Sequence, residues 1–86
     1  MVNNMNFGEI VTLLRQRGYS EKETKENHRV FYEYNSEDFL RYDIVRKFEV
    51  HYKDGTLTKM VMVKYLFNQT IIKEIKTKEE LLFELF

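Results

Sequence analysis

Phe7, Ile10, Val11 and Leu14 recur at i, i+3, i+4 and i+7, the spacing of one stripe on an amphipathic helix. Asn6 precedes the stripe with Glu9 three residues on, a pairing suited to a helix N-terminus. Gly18 follows Arg15 and Arg17, where a helix C-terminus favours cations and a left-handed residue. The pattern predicts a helix over about Met5–Arg17, with Tyr19 folding back on it. Ser20–Asn27 is polar throughout and reads as a loop or a short solvated helix. Arg29–Tyr34 is β-branched and aromatic, with Val30, Tyr32 and Tyr34 on one side, and reads as a strand. Ser36–Tyr42 reads as a turn or a single helical turn.

The period then changes to two. Ile44–Tyr52 alternates, with Ile44, Phe48, Val50 and Tyr52 on one face and Lys47, Glu49, His51 and Lys53 on the other. Asp54–Gly55 separates it from a second extended run, Thr56–Phe67, which makes a hairpin. A two-residue loop pairs Val50 with Lys59. A three-residue loop with Gly55 as a left-handed bulge pairs Phe48 with Met60, Val50 with Thr58 and Glu49 with Lys59. The second register matches apolar with apolar and sets opposite charges across the strands, and is the one expected. It places Ile44, Phe48, Val50, Met60, Met62 and Leu66 on the core face. Val45, Leu57, Val61, Val63, Tyr65 and Phe67 fall on the other. A fourth strand follows over Thr70–Lys76, and Thr77 with Glu80 opens a final helix striped by Leu81, Leu82, Leu85 and Phe86.

The expected fold is therefore α+β: one small domain over residues 1–86, in the order α-β-β-β-β-α. Its sheet would be four-stranded and mainly antiparallel, with the helices packed on one face.

Composition narrows the classes of function. With 43% apolar and 15% aromatic residues the chain can build a core, though a chain of 86 residues buries a modest share of its surface. There is no cysteine, so disulfides, thiolate zinc sites and cysteine nucleophiles are excluded. No apolar run approaches the ~20 residues of a membrane helix, and the expected setting is cytoplasmic, without membrane contact. Fourteen basic and 14 acidic side chains cancel. Asp43–Lys78 carries eight basic and four acidic groups, net +4, while Ser20–Leu40 is −3 (three against six) and Glu79–Phe86 is −3. That imbalance is too small to commit the chain to nucleic acid.

The only histidines, His28 and His51, stand 23 positions apart, and neither shares a short motif with carboxylates that would suggest a metal site. No cofactor is expected. Glu33, between Tyr32 and Tyr34, reads as an outward strand residue. The run Leu13-Leu14-Arg15-Gln16-Arg17-Gly18-Tyr19, a polar gap, and then Asn27–Tyr34 resembles the helix–Gly–strand–His opening of HicA-type toxin ribonucleases. The likeness covers about a third of the chain and implies an RNA-cleaving role for His28. Here Glu26-Asn27-His28 stands where that family has Gly-x-His, and its later pattern is missing.

The favoured expectation is a small non-catalytic module that binds another protein stoichiometrically, in the manner of a phage or mobile-element inhibitor of a host defence nuclease. Its interface would be the mixed apolar and basic sheet face: Lys47, His51, Lys59, Val61, Val63, Tyr65 and Phe67. Whether that face is open or crossed by the second helix is undecided at this level. Pairing of two copies through it, or through an edge strand such as Arg29–Tyr34, would give a homodimer. The alternative is nucleic-acid binding or HicA-like ribonuclease activity by the basic half of the sheet and His28.

Overall fold

The chain runs α1 (Phe7–Gln16), β1 (Ser20–Lys25), β2 (His28–Tyr34), β3 (Ile44–Lys53), β4 (Thr56–Leu66), β5 (Gln69–Ile75) and α2 (Lys78–Leu85). The structure is a computed structural model that describes residues 5–35 and 44–86. The expected turn at Ser36–Tyr42 lies outside the described residues. The strands form one antiparallel sheet in the order β1-β2-β3-β4-β5, so each strand pairs with its neighbour in the chain.

Both helices begin, and α1 also ends, on local chemistry visible in the sequence. The Asn6 side chain accepts hydrogen bonds from the backbone N–H groups of Gly8 and Glu9, satisfying donors that the first turn leaves free. At the other end Gly18 takes a left-handed φ of 86°. Its N–H donates to the Arg15 carbonyl and that of Tyr19 to Leu14, which closes the helix and swings Tyr19 into the core. Thr77 caps α2 through a 3.1 Å bond from the Glu80 N–H.

Five strands stand where four were expected. Ser20–Lys25, read as a loop or short helix, is a strand: it pairs with β2 from Ser20–Tyr32 to Lys25–His28, with a register shift between Glu21 and Glu23. The sequence Ser-Glu-Lys-Glu-Thr-Lys lacks an apolar side because it forms an outer strand of the sheet, so periodicity has nothing to report. As a result β2 is an inner strand, and among the described residues the outer strands are β1 and β5.

The hairpin register also differs from both alternatives. Asp54 and Gly55 have φ values of 52° and 76°, the two left-handed positions of a tight two-residue turn that follows the twist of the strands. Lys53 pairs with Thr56 and Tyr52 with Leu57, but one residue is then inserted and His51 pairs with Lys59. Beyond that bulge Val50 meets Met60, Phe48 meets Met62 and Glu49 meets Val61. The physical reason lies in parity. Leu57 and Met60 stand three apart, and only a bulge between them lets both point into the core. Leu57, expected on the outer face, is fully buried, whereas Leu66, expected in the core, is exposed.

The core joins Ile10, Val11 and Leu14 of α1, Tyr19, Phe31 of β2, Phe48 and Val50 of β3, Leu57, Met60 and Met62 of β4, Ile75 of β5, and Leu81 and Leu85 of α2. The buried residues of both helices thus belong to one cluster against one face of the sheet. The expected stripe of α2 is only half realised, because Leu82 is partly buried and Phe86 stays exposed.

Candidate functional site

The face away from the core is built by the rows of the register. Tyr32, Lys47, Val63 and Ile72 lie side by side across four strands. Val30, Glu49, Val61 and Glu74 form the next row, and His28, His51 and Lys59 the one beyond. Of the two arrangements left open by the sequence, α2 takes the one in which it does not cross this face, since its buried leucines lie in the helix-side core. Val30 and Val63 are nevertheless buried, outside that core.

Six of the seven residues expected to form the interface are brought together by this geometry. Lys47 stands across from Val63, and His51 from Lys59. Val61 and Tyr65 continue the same side of β4, with Tyr65 facing Thr70. Phe67 departs from the strand and sits in the β4–β5 turn, 99% exposed. The alternation in β3 already places Glu49 on this face, and the register adds Val30, Tyr32, Ile72, Glu74 and His28. Lys47 and Lys59 are offset by Glu49 and Glu74, two charges against two, so these rows carry no net charge.

At one end of the face the two histidines meet. His28 and His51 are directly opposed, and their rings stack 4.3 Å apart and 8° from parallel. The His28 Nε2 atom is buried without a hydrogen bond and lies 3.7 Å from Glu49 Oε1. Burial, then the nearby His28, then Lys59 push the His51 pKa down, while Glu49 pulls it up. Unfolded His51 therefore takes up a proton before the folded chain does. Its contribution to stability is present above the ordinary value of about 6.5 and is lost as pH falls toward the lower folded value. Urea titrations between pH 7.5 and 5 should show stability falling with pH, with a shallower fall in His51→Gln. An identical slope in the two proteins would reject the assignment. Among the described residues no group of three or more His, Asp or Glu side chains converges as a metal site.

A second polar cluster lies on the helix side, where the sequence suggested an outward glutamate. Glu33 Oε1 accepts from the Tyr19 hydroxyl at 2.6 Å and from Arg46 Nε and Nη2 at 3.1 and 3.0 Å. Arg46 also donates to the Glu84 carbonyl, and Arg17 to that of Leu85. Two arginines from elsewhere thus satisfy the last turn of α2, and Lys73 pairs with the Glu84 carboxylate at 3.2 Å. Burial, reinforced by the bond to Glu33, raises the Tyr19 pKa. This cluster bonds only to the protein's own groups and fastens α2 to the sheet. A cleft of about 400 Å³ between the helices is lined by Glu9, Thr12, Leu13, Gln16, Lys78 and Leu82 among others, with Glu9 and Lys78 3.8 Å apart.

No protein-family model, curated protein or solved structure matches this chain.

Proposed function

We propose that the protein is a non-catalytic binding module that engages another protein stoichiometrically through the open face of its sheet. The observation that carries this reading is a sheet face without helix cover in which Val61, Tyr65, Tyr32 and Ile72 adjoin a charge-balanced set of Lys47, Glu49, Lys59 and Glu74. Apolar and aromatic surface interleaved with paired charges suits a protein interface. Nucleic acid needs a net positive surface, because its affinity comes from neutralising phosphates. The zero balance of these rows therefore weighs against the RNA-directed alternative, and against His28 as a cleavage residue.

The test is quantitative cross-linking in the source cell, comparing the wild-type chain with Tyr65→Ala and with Gln16→Ala on the helix side. A partner retained by Gln16→Ala and reduced at least ~10-fold by Tyr65→Ala supports the reading, as expected for an aromatic anchor. A partner released instead by raising salt from ~50 to ~200 mM, with Tyr65→Ala inert, would favour nucleic acid.

A further inference from the structure

The two outer strands of the sheet are made very differently. The β1 edge carries four charged residues in six and a break in register, both devices that discourage another strand from pairing with it. The β5 edge, Gln-Thr-Ile-Ile-Lys-Glu-Ile, pairs regularly with β4 from Met60–Ile75 to Leu66–Gln69 and has no bulge. Ile72, at its midpoint, is 70% exposed, and Ile71 is also exposed. A regular strand with exposed isoleucines and no further neighbour among the described residues is a template for strand addition.

We propose that β5 pairs antiparallel with β5 of a second copy about a two-fold axis through Ile72, making a continuous ten-stranded sheet. The charge pattern selects both the occupant and the register. A two-fold axis normal to the sheet keeps each residue on its own face, so the axis must pass through a residue position. Centred on Lys73 it sets lysine against lysine, and centred on Glu74 it sets glutamate against glutamate. Centred on Ile72 it overlaps the strand over its full length, Gln69–Ile75, with no like charges opposed. Ile72 then meets Ile72 of the second copy, Thr70 meets its Glu74, and the stem of Lys73 covers its Ile71. Strand edges alone make small interfaces, so the dimer should be of modest affinity. The inference does not depend on what the open face binds.

Sedimentation equilibrium tests it. The wild-type chain should reach twice its 10.6 kDa mass with a micromolar dissociation constant. Ile72→Glu and Ile72→Lys should each weaken self-association at least ~100-fold while keeping the wild-type circular dichroism, because like charges meet at the axis. Mixed together, the two variants should form a heterodimer, a rescue that arises only if position 72 faces itself. Three results would overturn the proposal: a wild-type chain still monomeric at ~1 mM, dimers that survive both substitutions, or failure of the mixture to associate.

Discussion

Phe48→Ala is expected to cost about 3–5 kcal/mol, the range for deleting a fully buried aromatic ring. Phe48 is the middle of the sheet's interior row: Phe31 lies on one side, Met62 on the other, and Tyr19 packs edge-on at 5.4 Å. Its 0% exposure leaves no route for water to refill the space, and the rigid strands around it cannot close in. Against a total stability of about 5–15 kcal/mol, the loss should lower the melting temperature by roughly 15 °C or more. Phe48→Leu, which keeps most of the volume, should cost less than half as much. Thermal and urea denaturation check both, and an alanine variant that melts with the wild type would contradict the packing described.

Arg46→Met should be the next most damaging change, at about 2–3 kcal/mol. Methionine reproduces much of the stem, so the loss falls on the charged head, which lies over the Tyr19 and Phe48 rings. That head holds the Glu33 carboxylate and the Glu84 carbonyl together, tying β2, β3 and α2. Glu33 is partly exposed and can recover some hydration, which keeps the cost below that of a fully buried orphan charge. Glu33→Gln should cost about 1 kcal/mol, because Arg46 keeps its bond to the helix carbonyl. Equal costs at the two positions in urea unfolding would refute the view that Arg46 is the hub.

Arg46 and Glu33 also show where sequence reading stops. Helix starts and stops rest on contacts within four residues, so Asn6, Gly18 and Thr77 could be read directly. The Asp54–Gly55 turn was legible for the same reason. Register was not, because the bulge beside Thr58 is imposed by a requirement of the finished core, namely that Leu57 and Met60 both enter it. β1 was missed because its strand conformation comes from pairing with β2 and not from its own pattern. Glu33 was read as outward since Val30, Tyr32 and Tyr34 looked like the buried side of β2. In fact Phe31 alone anchors that strand in the core, and Glu33 shares its side. The open face, Glu49 included, could be drawn from alternation in β3 and β4, but its second glutamate, Glu74, needed the register.

The meander has a consequence for how the molecule is assembled. Every strand-to-strand pairing joins segments adjacent in the chain, so the strands are close in sequence and each closure costs little entropy. Folding of such a sheet can keep pace with synthesis, each new strand docking on the one before it, and refolding in vitro should take milliseconds rather than minutes. The slow step then belongs to the two helices, which have to find each other across five intervening strands before the core is sealed.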